Sequence, residues 1–246
     1  MECRFYRTCK KYKTNECGPT CYPFVMLHGL DGKGGFFATT NIPERYRNNL
    51  MDNIPVKDSA ENAKMYEKLL RYSQNIIELA LDRRIGLYLF GGTGTGKTTT
   101  ATALANEYLI ARVRQHLKGI KEIKRNPVYF ISVAEFQNAY NSMFRGTSEM
   151  QNDNANRYYK IKDRLKNVEL LVIDDIATRD TTEGFRNELF EVIDERSGDR
   201  KTTFFTSNVV MDDLADYLGE RIASRIEGMV SPVFFSGKDH RKGGSF

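Results

Sequence analysis

Short apolar runs alternate with longer amphipathic stretches over most of this chain. Five runs have the length and composition of buried strands, and they occupy positions 87–90, 128–131, 170–173, 203–206 and 233–235. Between them, apolar residues recur every three or four positions, as in residues 101–109, which is the spacing of a helix that packs against a core. Strands that alternate with helices are typical of a covered parallel sheet. We therefore predict an α/β fold with a five-stranded parallel sheet flanked by helices.

A further helix is predicted before the first strand. Apolar residues repeat at helical spacing between Tyr66 and Ala80, and Asp58 is followed three positions later by Glu61. That spacing is typical of a capping box, in which two side chains accept hydrogen bonds from backbone N–H groups at the start of a helix. We expect this helix to pack against the sheet and to have a structural role.

The first predicted strand leads into a phosphate-binding loop. Gly-Gly-Thr-Gly-Thr-Gly-Lys-Thr at 91–98 has P-loop spacing and lies between a predicted strand and a predicted helix. Glycines allow the backbone N–H groups to surround the α- and β-phosphates, because a Cβ would block the turn or the anion. Lys97 is expected to reach the β- and γ-phosphates, and the Thr98 hydroxyl to bind Mg²⁺. The predicted nucleotide-binding residues are Gly91, Gly92, Thr93, Gly94, Thr95, Gly96, Lys97, Thr98 and Thr99.

Polar residues follow the third and fourth predicted strands. Asp174 and Asp175 end the third strand, and ligands of open α/β folds bind at the carboxyl ends of parallel strands. Asp174 is expected to hold Mg²⁺, and Asp175 to position and polarise the attacking water. Asn208 at the tip of the fourth strand is expected to sense the γ-phosphate or orient that water. We therefore predict a nucleoside triphosphatase.

Two arginines lie further along the chain on a predicted short helix. Arg221 and Arg225 are four residues apart and so share one face of that helix. Arginines at this place are candidates for reaching a nucleotide held by a neighbouring subunit, although a surface pair is more often simply solvated.

Composition sets few limits on function. The formal net charge of +5 permits an acidic polymer as partner without requiring one. No apolar run approaches the roughly 20 residues of a membrane span, and no apolar signal region follows the first residues. We therefore expect a soluble, intracellular protein without a membrane partner.

All four cysteines lie near the start of the chain, at Cys3, Cys9, Cys17 and Cys21. In a reducing compartment, clustered cysteines are more often metal ligands than disulfides. The cluster suggests Zn²⁺ held by four thiolates, with His28 as a possible replacement for one of them. Unligated thiols on a flexible tail are the alternative.

Basic and aromatic residues are interleaved in the segment 144–166. Cations that contact the phosphates and aromatic rings that stack on bases are what single-stranded nucleic acid binding needs. A solvated helix face is an equally good interpretation of the same pattern.

With these elements in this order, the chain resembles the AAA+ ATPases, and among them the DnaC/DnaI-type loaders of replicative helicases from bacteria and their phages. The resemblance covers residues 42 to 246. It is carried by Ile42-Pro-Glu-Arg-Tyr, Gly86-Leu-Tyr-Leu-Phe-Gly-Gly-Thr-Gly-Thr-Gly-Lys-Thr-Thr, Leu171-Val-Ile-Asp-Asp-Ile, Thr206-Ser-Asn and Leu218-Gly-Glu-Arg-Ile-Ala-Ser-Arg.

The resemblance implies roles for parts of the chain. It makes residues 91–98 Walker A, Asp174 and Asp175 Walker B, Asn208 sensor 1, and Arg225 the arginine finger with Arg221 in support. It implies an ATP-dependent loader that places the replicative helicase on single-stranded DNA, with ATP-dependent self-assembly, in the cytoplasm of a bacterial or phage-infected cell. The domains expected are a cysteine-rich zinc module (1–40), a linker (41–58) and an AAA+ ATPase domain (59–246).

The chain departs from this family at several places. Asp175 stands where many AAA+ proteins have glutamate, and its shorter side chain favours slow hydrolysis. Ala177-Thr-Arg-Asp replaces the expected Gly-Ala/Ser-Glu sequence. Few residues follow the fifth predicted strand, so we expect no helical lid and no sensor-2 role for Arg241.

Other functions are compatible with the same core. An IstB-like transposition-helper ATPase shares its core and length, although the four cysteines argue against it. A small-molecule kinase would need an acceptor pocket and a lid, and an origin-reading initiator would need a helix-turn-helix after the core. A binding module with a degenerate site is opposed by the intact Lys97, Thr98 and Asp174.

Overall fold

The computed structural model describes residues 3, 5, 9–15, 17–177 and 181–237. Within them, five strands lie close to the predicted positions, and each begins or ends a few residues beyond its apolar run. The strands are β1 (Gly86–Gly91), β2 (Val128–Ser132), β3 (Leu170–Asp174), β4 (Thr202–Ser207) and β5 (Val230–Phe235).

Helices connect the strands and cover the sheet. The α-helices of the described residues are α1 (Tyr22–His28), α2 (Gly35–Thr39), α3 (Ala63–Gln74), α4 (Lys97–Leu117), α5 (Val133–Ser142), α6 (Ser148–Asn167), α7 (Glu183–Gly198), α8 (Leu214–Leu218) and α9 (Glu220–Glu227). Short 3-10 turns lie at Glu44–Tyr46, Pro55–Asp58, Ala60–Asn62 and Met211–Asp213, and a π-helix at Ile77–Asp82.

The five strands form one parallel sheet in the order β2-β3-β4-β1-β5. In this register Ile131, Ile173, Phe205 and Tyr88 follow one another across four strands. All carboxyl ends therefore meet at one edge, which places the end of β3 and the end of β4 near the P-loop that follows β1. The predicted five-stranded parallel sheet flanked by helices is confirmed.

Alternating side chains of the strands divide the core into two layers. Leu87, Leu89 and Phe204 belong to one buried cluster, with the apolar face of α4. Tyr88 and Phe205 belong to a second cluster, with residues of α5, α6, α7 and α9. Both faces are buried along the inner strands, which is why β1 and β3 are apolar in continuous runs rather than in alternation, whereas edge strand β5 is partly exposed.

The start of α3 differs from the sequence prediction. The helix begins at Ala63, its N-cap Asn62 makes no capping hydrogen bond, and Asp58 lies in a separate 3-10 turn. The Asn62 amide instead pairs with the backbone of Ser236, donating to its carbonyl at 2.9 Å and accepting from its N–H at 3.0 Å. The predicted capping box at Asp58 and Glu61 is therefore wrong, because this segment is fixed by a distant part of the chain.

The N-terminal segment packs on the same core as the P-loop helix. Phe5, Leu27, Phe37 and Ile42 are buried in the cluster that contains the apolar residues of α4. The backbone N–H of Phe130 on edge strand β2 donates to the Thr40 carbonyl at 2.8 Å. The segment is therefore attached to the sheet edge by both apolar and backbone contacts.

Candidate nucleotide-binding site

Two glycines of the P-loop occupy positions that other residues could not. Gly91 has φ +141°, and a Cβ on it would lie 2.1 Å from the carbonyl oxygen of Phe235 on β5. Gly96 has φ +97° and is the N-cap of α4. The loop therefore turns tightly from β1 into α4, and the N-terminus of α4 is available to an anion.

Lys97 is almost fully buried within this loop. Its Nζ donates hydrogen bonds to the carbonyl oxygens of Gly91 at 2.9 Å and Gly92 at 2.6 Å, and to Oδ1 of Asn208 at 2.8 Å. The structure thus joins two residues that the sequence predicted for the γ-phosphate, although 111 positions separate them. A phosphate oxygen placed here would compete with these acceptors for Lys97.

The Asp174 carboxylate is buried between two threonines. The Thr98 hydroxyl donates to Oδ1 at 2.7 Å, and the Thr206 hydroxyl donates to the same oxygen at 2.6 Å. Burial raises the pKa of Asp174 above its usual value, although these hydrogen bonds oppose the shift. Thr98 and Asp174 are therefore in contact and supply the oxygen ligands that Mg²⁺ prefers, so they would hold that ion.

Thr206 was not predicted as a site residue. Besides its bond to Asp174, its hydroxyl oxygen accepts from the N–H of Asp175 at 2.9 Å, and its carbonyl accepts from the N–H of Ile176 at 2.9 Å. These bonds fix Asp175 at φ +53°, where its exposed carboxylate lines the nucleotide cavity. Thr206 belongs to the Thr206-Ser-Asn sequence that carried the family resemblance, but only the pairing of β3 with β4 reveals its contact with Asp174.

A cavity of about 390 Å³ lies beside the P-loop. Part of its lining was predicted, namely the loop residues 93–99, Asp175 and Asn208. The rest of the lining consists of Arg45, Tyr46, Pro55 and Val56. These four residues come from the segment 42–58, and we call this side of the cavity the 42–58 wall. The signal for Arg45 and Tyr46 was the sequence Ile42-Pro-Glu-Arg-Tyr, which carried the family resemblance without an assigned role.

Neither predicted arginine lines this cavity. Arg221 stacks on Phe190, with Cζ 4.1 Å from the ring centroid, and Arg225 donates from Nε to Asp194 at 2.6 Å. Both side chains are exposed on α9, which packs on α7. They are thus on the surface of the protomer and away from its own nucleotide site.

Several basic and aromatic residues of the segment 144–166 have internal roles. Lys162 donates to Glu188 and Glu191 at 2.6 Å each, and Lys166 bonds to Glu191 and Glu195. Tyr158 is buried and donates to Glu188. These side chains join α6 to α7, so this part of the pattern belongs to packing.

Other residues of the same segment remain exposed. Arg157, Tyr159 and Lys160 face solvent on α6, and Phe144 is exposed near the end of α5. Arg164 is half-buried, donates to the Thr39 carbonyl at 3.0 Å and lies over the Tyr129 ring. The surface available to a nucleic acid is therefore smaller than the sequence pattern suggested.

The four cysteines are free thiols. Burial raises the pKa of Cys3, and the neighbouring Cys21, Cys17 and Cys9 add to this shift. Nevertheless, the described part of the chain contains no group of three or more His, Cys, Asp or Glu side chains arranged to hold a metal ion. Zinc binding by these residues, with or without His28, stays a prediction.

The family comparison agrees with this geometry. A model described as IstB-like ATP binding protein matches residues 73–226, which is more than half of the chain and includes Walker A, Walker B and both arginines. The chain belongs to the IstB-like ATP-binding protein family.

Curated proteins similar to this chain include helicase loaders. The chain is 30% identical over 148 residues to the replicative helicase loader DnaC of Escherichia coli K12, an alignment that covers 59% of this chain and 51% of DnaC. The chain thus spans about half the length of the curated relatives it matches.

Solved structures share the fold. A crystal structure of DnaI superposes with a TM-score of 0.59 and 22% identity, over 82% of this chain and 95% of that one. The replication initiator DnaA, solved with AMPPCP and single-stranded DNA, gives a TM-score of 0.55 and 21% identity over 80% of this chain and 52% of DnaA. The chain therefore shares its fold with DnaI and DnaA.

Two sequence expectations fall outside the described residues. Arg241 is one, and positions 178–180, which follow Ala177 in the loop after Walker B, are the other. In the part of the chain that the structure describes, no helix combines the length and the apolar character needed to cross a membrane.

We expect Asp174→Asn to separate stability from ligand binding. Because burial disfavours the charged carboxylate, the amide should raise the unfolding free energy of the ligand-free protein by about 0.5–2 kcal/mol. Its thermal midpoint should rise accordingly. The same change should abolish the further stabilisation by Mg²⁺ and ATP. Since the pKa of Asp174 is raised, wild-type Mg²⁺ affinity should be full above that pKa and fall as the pH drops through it.

Thermal denaturation with and without Mg²⁺ and ATP checks this, with Asp212→Asn, at an exposed acid, as the control. A destabilised Asp174→Asn protein that keeps its full response to Mg²⁺ and ATP would contradict the assignment.

Proposed function

We propose that this protein is an ATP-dependent loader that binds a replicative DNA helicase and places it on single-stranded DNA. The contact of Lys97 with Asn208 carries the proposal, because it connects the phosphate-binding loop to the tip of β4. Membership in an ATP-binding family and similarity to DnaC support the loader role.

ATP would act as a switch through competition for polar contacts. Lys97 donates to two loop carbonyls and to Asn208, so a γ-phosphate that accepts from Lys97 must replace some of these bonds. The Asn208 amide is then free to reorient toward the phosphate or the attacking water. A ligand shifts such an equilibrium only by its different affinity for the two states, and the γ-phosphate contacts supply that difference.

Hydrolysis would use the two acids after β3 in different ways. Asp174 and Thr98 would hold Mg²⁺, and that ion would neutralise charge on the phosphates. Asp175 is exposed to the cavity and held by Thr206, so its carboxylate positions the attacking water. Its side chain is one methylene shorter than glutamate, and we expect hydrolysis to be slow without a partner.

A neighbouring copy would complete the site. Arg225 lies on the surface of α9 and does not line the cavity of its own protomer, which suits a group that acts on the next subunit in an ATP-dependent assembly. The ion pair between Arg225 and Asp194 is exposed, so little free energy is lost when it breaks. Arg221, stacked on Phe190, would support the helix that presents Arg225.

Single-stranded DNA would contact the exposed face of α6. Arg157 and Lys160 provide cations, and the ring of Tyr159, which is 61% exposed, provides a surface on which a base can stack. Lys162 and Lys166 take no part, because their charges are paired with the acids of α7.

The N-terminal 40 residues would form the helicase-binding module. Zn²⁺ held by Cys3, Cys9, Cys17 and Cys21 would stabilise it. Burial is the main cause of the raised pKa of Cys3, and the smaller contributions of the other three thiols support their proximity to it. Residues 41–58 would link it to the ATPase domain of residues 59–246. The protein would work in the cytoplasm of a bacterial or phage-infected cell.

A transposition-helper ATPase is the second candidate, because the matching family model is described as IstB-like. Pull-down of a hexameric helicase would support the loader, and pull-down of a transposase would support the helper.

Lys97→Ala should abolish loading. Without the Lys97 ammonium, the γ-phosphate loses its contact and the switch loses its driving force, so we expect a decrease of at least about tenfold. Loading is measured as helicase-dependent unwinding of an oligonucleotide annealed to a single-stranded circle, with the replicative helicase of the same organism. Lys68→Ala, at an exposed lysine of α3, is the control. Full loading by Lys97→Ala would remove the mechanism.

Arg225→Ala should reduce ATP hydrolysis by about 10³-fold, the lower end of the range for an arginine finger. Mixing it with Lys97→Ala tests action between subunits, because one protein keeps the P-loop and the other keeps the arginine. The mixture should regain activity that neither has alone. Wild-type hydrolysis by Arg225→Ala, or a mixture as inactive as its components, would rule out this role.

The double variant Arg157→Ala/Lys160→Ala should bind single-stranded DNA more weakly. If both cations contact phosphates, the slope of log affinity against log salt should fall in magnitude by about 1.4, or about 0.7 for each contact. Fluorescence anisotropy with a labelled oligonucleotide measures this, and Lys68→Ala/Arg71→Ala on α3 removes two equally exposed cations as the control. Equal slopes for the two double variants would place the DNA elsewhere.

A further inference from the structure

One buried side chain of the P-loop helix holds part of the 42–58 wall. Asn106 lies in α4 and is fully buried. Its Nδ2 donates to the carbonyl oxygens of Tyr46 at 3.0 Å and Asn49 at 2.9 Å, and it lies 3.4 Å from that of Arg47. These carbonyls belong to one turn, in which the Asn49 N–H also donates to the Tyr46 carbonyl at 3.1 Å. The Asn106 amide adds donors from the P-loop helix and so bonds the turn to that helix.

The choice of asparagine is costly for packing alone. Its Oδ1 is buried and has no hydrogen-bond partner among the described residues. A buried acceptor without a partner is unfavourable, and a leucine of similar size would avoid that loss inside this apolar cluster. What the leucine lacks is the donor group, so the contact with the turn explains the residue.

The turn that Asn106 holds carries two cavity residues. Arg45 and Tyr46 line the nucleotide cavity, and the Arg45 guanidinium lies 4.7 Å from the centroid of the Tyr46 ring. An aromatic ring and a guanidinium plane both stack on nucleobases. Asn106 and Lys97 belong to the same helix, so the contact fixes this stacking surface relative to the phosphate-binding lysine.

We propose that Asn106 is a positioning residue that sets the distance between the 42–58 wall and the P-loop, and thereby determines how much of the binding energy the nucleobase contributes. The inference rests on the nucleotide-binding part of the proposed function and is independent of helicase loading. Asn106 does not line the nucleotide cavity and reaches it only through the turn, so its effect must depend on the presence of a base.

The test compares ATP with inorganic triphosphate, which carries the phosphate chain without base or ribose. Calorimetric titration of the full chain in Mg²⁺ should show that Asn106→Leu weakens ATP binding about tenfold, equal to about 1.4 kcal/mol. Affinity for triphosphate should stay within about twofold of wild type. Asn106→Ser, whose hydroxyl is too short to reach the turn, should also weaken ATP binding without affecting triphosphate binding. Because serine is smaller than asparagine, this variant excludes a clash with a bulky side chain as the cause.

Asn126→Leu is the matched control. Asn126 is also buried and holds an N-terminal element, donating to the Phe36 carbonyl at 2.7 Å and to Thr39 Oγ1 at 2.8 Å, but it does not line the nucleotide cavity. This variant should lose thermal stability while its ATP and triphosphate affinities keep the wild-type ratio.

The possible results separate the inference from the function on which it rests. Equal weakening of ATP and triphosphate, unchanged ATP binding, or failure of both Asn106 variants to fold would give Asn106 a purely structural role and overturn the inference, while a wild type that binds ATP leaves the proposed function intact. A wild type that binds neither ligand would overturn both.

Discussion

The candidate site depends on a buried carboxylate that two threonines hold. Thr98 comes from the start of α4 and Thr206 from β4, and both hydroxyls donate to the same oxygen of Asp174 at the end of β3. Burial raises the pKa of Asp174 because it disfavours the charged carboxylate, and a bound cation would stabilise that charged form. Because Thr206 also holds the N–H of Asp175, one strand pairing orients both acids. The parallel sheet is what brings these groups to one edge.

Asparagine amides fix backbone segments both around the nucleotide cavity and at the start of α3. Asn208 accepts from Lys97, Asn106 donates to the turn that carries Tyr46, and Asn62 pairs with Ser236 beyond β5. Each amide satisfies backbone or side-chain groups that no regular element pairs. Through Asn106, the 42–58 wall is hydrogen-bonded to the P-loop helix.

Charge has different tasks in different parts of the chain. Arg112 is fully buried, and its Nε donates to Glu169 at 2.7 Å, while Lys162 and Lys166 hold α6 against the acids of α7. Such pairs determine how helices pack, since breaking one leaves a partly buried charge without its partner. Arg157, Lys160 and Arg225 remain at the surface, where a polyanion or a second subunit can reach them. The modest net charge of the chain conceals this division.

The sequence alone determined the parallel α/β sheet, because strands that are buried on both faces leave continuous apolar runs. It also determined the P-loop and the two acids after β3, because the spacing of these residues is local. It could not determine that Thr206 holds Asp174, that Tyr46 lines the cavity or that Lys162 is internal, because each depends on a partner distant in the chain. It also misplaced the start of α3, where the pairing of Asn62 with Ser236 prevailed over a local capping pattern. Local spacing determines which functional groups are present, whereas strand order and packing determine which side chains contact one another in the site.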